Sequence, residues 1–368
     1  MRLTYQSKIR KIAIALASFL FICAISLHAV AQDNNLESRP DYAAVNIFGD
    51  SLMDAGNIFN LTERPPSPPY AQKFSNGPLW VEQLADELKL SPALSTKVLP
   101  SVLNGKTSPP ADGINFALAG SLSSDLNVSG SQLYGLQQQI ESFRDLSAIA
   151  PPNPDTLYLL LVGGNDYNEA VRLTPSVAAL ADLPEQVSDH VISAATALIE
   201  SGARHLLISN LPILGQQPYA NFLNQATPQS AALLNSLSTR HNQLLAQKLD
   251  ALAATTQAEI IPLDLAGLFS AVVDSPTQFG LTNVSDPCLV KSRSETASVS
   301  LCDNPKQFLF WDQVHPTEQG HAAIAQLAIE TLASAEPQTS PNAVSKLGLL
   351  TALGGGMAIA YLALKEGH

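Results

Sequence analysis

Short apolar runs alternate with longer stretches of helical spacing through the middle of this 368-residue chain. The apolar runs fall at 43–48, 113–118, 156–162, 205–209 and 259–263. The run TLYLLLV at 156–162 has no polar alternation, as expected of a strand covered on both faces. Between the runs, residues 79–90, 133–146, 187–199, 231–252 and 321–332 place apolar side chains three and four apart, the spacing of amphipathic helices. Strand–helix alternation of this kind predicts an α/β fold, a parallel sheet sandwiched between helix layers. Ligands of such sheets bind beyond the carboxyl ends of the strands. The Pro-bearing stretches 62–71 and 91–112, and the Cys-bearing stretch 275–307, read as loops able to wall a substrate cleft.

The two ends depart from this pattern. Arg2, Lys8, Arg10 and Lys11 precede a mostly apolar run from Ile12 to Leu27, and Ala29-Val30-Ala31 follows as a small-x-small cleavage site. Residues 1–31 therefore read as a secretory signal, with an uncleaved membrane anchor as the alternative. Residues 336–346 are polar and Pro-containing, a linker by composition. Leu347 to Leu364 then carries no charge and includes Gly354-Gly355-Gly356, so 347–368 reads as a membrane anchor or a sorting tail. The folded domain is expected at 40–335, in an exported protein that is periplasmic, on the cell surface or extracellular.

Composition narrows the function. With 46 % apolar and 14 % charged residues the chain can bury a sizeable core. Removing 1–31 takes four of the 20 basic residues and none of the 32 acidic ones, moving the net charge from −12 to −16. Such a surface repels polyphosphates, and nucleic acid is not an expected partner. Cys23 leaves with the signal. Cys288 and Cys302 remain as an even pair in an oxidising compartment, which predicts a disulfide, with two free thiols as the alternative. Neither lies in a CxxC, and no His cluster or HExxH is present, so no metal or organic cofactor is expected.

Four segments carry residues suited to acyl transfer. Ser51, in Phe48-Gly49-Asp50-Ser51-Leu52, stands where the first strand would turn into a helix, although a serine there is often a helix cap. Asp312 and His315, in Trp311-Asp312-Gln313-Val314-His315-Pro316, are spaced for a tight turn that joins carboxylate to imidazole. Asn165, in Gly163-Gly164-Asn165-Asp166, follows the most apolar strand, where its amide could meet a developing oxyanion or simply form a turn. Gly120 ends the segment Asn115-Phe116-Ala117-Leu118-Ala119-Gly120 and could present a bare N–H. The histidines at 190, 205, 241 and 321 lack a carboxylate in a comparable turn and read as structural or solvated.

In combination and order these segments resemble the GDSL family of the SGNH hydrolases, whose four blocks centre on Ser, Gly, Asn and His. The matching stretches are FGDSLMDAGN (48–57), GINFALAGS (113–121), VGGNDY (162–167) and FWDQVHPTEQ (310–319), with Asn210-Leu211-Pro212 resembling a further segment. The likeness runs from Val45 to Leu332 and is nearest the long-chain plant and bacterial lipases and esterases. It implies a three-layer α/β/α sandwich around a five-stranded parallel sheet, flavodoxin-like. It also implies Ser51 as nucleophile, His315 as general base, Asp312 as its orienting partner, and an oxyanion hole from the N–H groups of Ser51 and Gly120 with the Asn165 side chain. Gly120 is aligned across a departure, since Leu118-Ala119-Gly120 stands where that branch carries Ser-Gly-Gly. Asp54 and Asn57 match the first block but read as turn-forming. The function implied is a serine-dependent ester hydrolase of lipase, esterase or phospholipase type, acting on a lipid or small-molecule ester through an acyl-enzyme. The alternatives are a carbohydrate esterase or an inactive, membrane-tethered binding protein of the same fold. An α/β-hydrolase elbow, Gly-x-Ser-x-Gly, is absent because Met53 occupies its last position.

Overall fold

The computed structural model describes residues 41–291 and 299–335; the signal, linker and carboxy-terminal hydrophobic segment expected from the sequence lie outside them. The central sheet is parallel throughout, ordered β2-β3-β1-β4-β5-β6. Its strands are β1 (Ala44–Gly49), β2 (Ala93–Leu94), β3 (Ile114–Asn115), β4 (Thr156–Leu161), β5 (His205–Ser209) and β6 (Glu259–Leu263).

Among the described residues this sheet has six strands rather than the five expected. The addition is β2, two residues inside a stretch read as loop, which adds an edge beside β3. Its brevity leaves no periodicity to read, because alternation needs several residues to show. The run at 113–118 is a formal strand only at Ile114–Asn115, yet Phe116 N–H donates to Ile47 O (2.8 Å) and Leu118 N–H to Gly49 O (3.1 Å). That run therefore follows β1 to the rim of the sheet.

Both faces of the sheet are dry, as the unbroken apolar strand required. In β4, Leu157, Leu159 and Leu161 point into one core cluster while Tyr158 and Leu160 point into the other. Successive side chains of a strand alternate faces, so a strand buried on both sides must be apolar at every position. On the first face lie α2 (Trp80–Glu87), α9 (Leu265–Asp274) and α10 (Glu318–Ala335). The second carries α4 (Leu136–Ile149) and most of α6 (Leu183–Glu200), while α8 (Ser230–Ala253) contributes to both clusters. The remaining helices are α1 (Asn57–Thr62), α3 (Ser95–Val102), α5 (Gly164–Leu173) and α7 (Pro218–Ala226). Among the described residues no helix is long and apolar enough to cross a membrane.

The Cys-bearing stretch is not a bare loop. It holds β7 (Asn283–Pro287), β8 (Leu289–Lys291) and β9 (Val299–Leu301), followed by β10 (Phe308–Phe310). β7 pairs with β10 in parallel, and β8 with β9 antiparallel. The expected disulfide joins Cys288 to Cys302 at the base of the β8–β9 pair. Cys288 is buried against Tyr70, Leu289 and Trp311.

Candidate active site

The carboxyl rim of β1 is shaped by Gly49. A Cβ there would lie 2.1 Å from Leu161 O of the neighbouring strand, so only glycine lets the chain leave the sheet this closely. Asp50 and Ser51 follow on a tight turn closed by Met53 N–H and Asp54 N–H donating to Asp50 O (both 3.0 Å).

Ser51 is 7 % exposed and meets a partner 264 positions along the chain: its Oγ lies 2.8 Å from His315 Nε2. The other ring nitrogen, Nδ1, lies 2.8 Å from both carboxylate oxygens of Asp312. That carboxylate fixes the tautomer: Nδ1–H donates to Asp312, and Nε2 is left to accept from the serine hydroxyl. Asp312 Oδ1 also accepts from the N–H groups of Val314 (3.0 Å) and His315 (2.9 Å). Burial pushes this carboxyl up, but the His315 charge, its hydrogen bond and the two N–H donors outweigh burial and hold it at about 2. Asp312 is therefore an anion at any physiological pH. The side chains of His315 and Asp312 keep only 12 % and 15 % exposure.

The sequence predicted these three residues, and the structure brings them together. Gly120 and Asn165 stand on the same rim, at the ends of the 113–118 run and of β4. Gly120 has φ +82°, the left-handed region, where a Cβ would also lie 2.6 Å from Asn127 Oδ1. Asn165 sits in the first turn of α5, and one of its side-chain N–H groups donates to Ser121 O (3.0 Å). Among the described residues the backbone N–H groups of Ser51 and Gly120 donate to no protein atom. A cleft of about 1040 Å³ opens beside this cluster, lined by Tyr70, Asn165, Tyr219, Phe222, Leu289 and Asp312. Most of its exposed wall area is apolar, although Asn168, Glu169 and Asp286 also face it.

A model of the GDSL-like lipase/acylhydrolase family matches residues 45–328. The chain belongs to that family. As a GDSL lipase/acylhydrolase it is an ester-hydrolysing enzyme. It is 29 % identical to a phosphatidylcholine-sterol acyltransferase of Aeromonas hydrophila, over 84 % of this chain and 95 % of that protein. It is 28 % identical to a thermolabile hemolysin of Vibrio parahaemolyticus, over 81 % of this chain and 66 % of the other. Identity to a GDSL esterase/lipase of Arabidopsis thaliana is 25 %, over 87 % and 96 % of the two chains.

The other first-block residues of this GDSL enzyme hold the rim in place. Asp54 accepts from the N–H groups of Gly56 (2.8 Å), Asn57 (2.5 Å) and Ile58 (3.0 Å), capping α1, and from Ala119 N–H (2.8 Å). Asn57 donates to the carbonyls of Asn115 (2.8 Å) and Ala117 (2.9 Å). Together they tie the Ser51 segment to the Gly120 segment, Asp54 closing the local turn and Asn57 reaching across to residues 115 and 117.

Three contributors were not foreseen. Gln139, fully buried on α4, accepts from Gly49 N–H (2.9 Å) and donates to Gly49 O (2.8 Å) and Ser121 Oγ (2.9 Å). The Ser123 hydroxyl donates to Asp166 (2.7 Å) and lies 2.9 Å from His190 Nδ1, linking the Gly120 segment to α5. Finally, residues 70–76 run beside the His315 turn as a strap. Tyr70 donates to Asp312, the Phe74 ring lies 4.8 Å from the His315 ring, Ser75 donates to Pro316 O and Asn76 accepts from Glu318 N–H. A glutamine at helical spacing or a tyrosine in a Pro-rich loop carries no local signal of such partners. The one available hint was that 62–71 could wall a cleft.

Proposed function

We propose that the protein cleaves acyl esters by a serine mechanism in which Ser51, His315 and Asp312 act as nucleophile, general base and orienting carboxylate. The observation that carries this reading is the unbroken chain from Ser51 Oγ to His315 Nε2, and from Nδ1 to Asp312, each link 2.8 Å. Ser51 Oγ bonds to the ester carbonyl carbon as its proton passes to Nε2. The imidazolium so formed is stabilised by the Asp312 anion. The carbonyl oxygen becomes an oxyanion, for which the N–H groups of Ser51 and Gly120 and the second Asn165 N–H are the donors on the rim. The tetrahedral carbon collapses, its bond to the alkoxide breaks, and Nε2–H protonates the leaving alcohol. Water then repeats the sequence on the acyl-serine and releases the acid.

The apolar cleft supports a hydrocarbon acyl chain as the part of the substrate held by the protein. The activity named for the Aeromonas relative, transfer of an acyl group from phosphatidylcholine to a sterol, agrees with lipid esters as substrates. Export agrees with the Cys288–Cys302 bond, since disulfides persist in oxidising compartments. A tail at 347–368 would hold such an enzyme beside lipid.

Labelling with a fluorophosphonate tests the mechanism, because only an activated serine reacts. The wild-type protein is expected to label, and Ser51→Ala to fold, fail to label and lose ester hydrolysis. An Ser51→Ala protein with undiminished activity on a short chromogenic ester would refute the assignment. Esters varied in chain length and headgroup, assayed with and without an added alcohol, then rank substrates and acceptors.

A further inference from the structure

One contact of the strap at 70–76 reaches the Asp312 carboxylate itself. Asp312 presents two oxygens to its surroundings. Backbone N–H groups of Val314 and His315 fix Oδ1, whereas Oδ2 receives the Tyr70 hydroxyl at 2.8 Å, from 242 positions away. The tyrosine is 5 % exposed and packs edge-on against Trp311 and Phe74, with ring centroids 6.1 and 5.8 Å away. Its other side lines the substrate cleft. Tyr70 and Asp312 thus line the same cleft, hydrogen-bonded to each other in its wall.

We propose that Tyr70 is a positioning residue of the triad: by donating to Asp312 Oδ2 it completes the carboxylate's donor set and sets how tightly Asp312 holds a proton on His315. This rests on the serine mechanism above and deepens it. A donor on Oδ2 draws negative charge from the carboxylate, and less charge remains to stabilise the imidazolium. Without the hydroxyl, Asp312 keeps its backbone donors but holds the His315 proton more strongly. The base is then freed only at higher pH, and the carboxylate is less firmly oriented. Burial and the neighbouring carboxylate push the Tyr70 phenol above the ordinary tyrosine value, so it remains a donor throughout the working range.

Other titratable groups around the pair are Asp50 on the nucleophile turn, His321 on α10 and Lys73 on the strap, the last ion-paired to Glu82. All three are unchanged by Tyr70→Phe, which also keeps the ring and its packing. The experiment measures the rate of fluorophosphonate labelling against pH for the full chain, wild type and Tyr70→Phe. The acidic limb of the variant is expected to move up by roughly half a pH unit or more, and its plateau to fall about tenfold. Incorporating 3-fluorotyrosine at position 70, a stronger donor of nearly the same shape, is expected to move the limb the other way, and it serves equally if Tyr70→Phe does not fold. A limb left in place, or moved down in Tyr70→Phe, overturns the proposal even if the rate drops, since a lost cleft wall changes rate without changing the limb. A wild-type protein that does not label at all would sink the serine mechanism instead.

Discussion

Replacing Gln139 by methionine keeps the volume of a buried helix side chain and removes its amide, which makes the consequence calculable. Three hydrogen bonds disappear, two to Gly49 and one to Ser121. Their costs differ. Gly49 O keeps a second donor in Leu118 N–H, and the Ser121 hydroxyl keeps Leu118 O as acceptor. Losing those two bonds should each cost about 1 kcal/mol, the usual net worth of a hydrogen bond. Gly49 N–H is left buried with no partner, and an orphaned buried donor costs about 1–3 kcal/mol. The sum is roughly 3–5 kcal/mol, a large share of the ~5–15 kcal/mol that holds a domain folded. Urea unfolding at neutral pH, with unchanged slope, should show the midpoint falling accordingly. Labelling at Ser51 should slow as well, because Gly49 immediately precedes the nucleophile turn. A midpoint shift corresponding to under about 1 kcal/mol would refute the hydrogen-bond accounting.

Two further outcomes follow from buried charge and covalent closure. Burial pushes the Asp166 carboxyl up to about 6; the native state therefore keeps a proton that an unfolded chain sheds near 4, and this contribution to stability, present below pH 4, is lost as pH rises through 6. The loss is about 3 kcal/mol for two pKa units, so the stability of Asp166→Asn relative to wild type should improve by about that amount between pH 4 and 7 in urea titrations at the two pH values; a difference that is flat with pH would contradict it. The Cys288–Cys302 bond spans 14 positions, and chain entropy assigns such a loop about 3 kcal/mol; the double variant Cys288→Ser, Cys302→Ser should unfold at correspondingly lower urea, and an unchanged midpoint would argue against that closure.

The sheet and the triad were legible in the sequence for different reasons. β5 and β6 were read to the residue, because an apolar run between turns leaves little else to be. The flanking helices α6, α8 and α10 extend by one to four residues at both ends beyond the periodic stretches, because end residues need not keep the apolar spacing. α5 was missed. Its sequence, GNDYNEAVRL, buries only Tyr167 and Val171 and so shows scant periodicity, and its start looked like a turn. Pro100 concealed α3 in the same way, since proline ordinarily marks a helix boundary. At the site, Ser51, Asp312 and His315 were readable because their chemistry demands particular residue types in local settings. Tyr70, Gln139 and Ser123 support them from far along the chain, and only the folded topology shows which group each one meets.

The 264-position gap between Ser51 and His315 also orders events in the protein's life. During synthesis Ser51 emerges early and His315 among the last described residues of the fold. On the proposed serine mechanism an incomplete chain carries a serine hydroxyl of ordinary, feeble reactivity. Closing so long a loop costs entropy that only the completed sheet and helix layers offset. On the same mechanism, hydrolytic power thus arrives in one step with the finished fold, and a chain cut anywhere before residue 315 is expected to lack it.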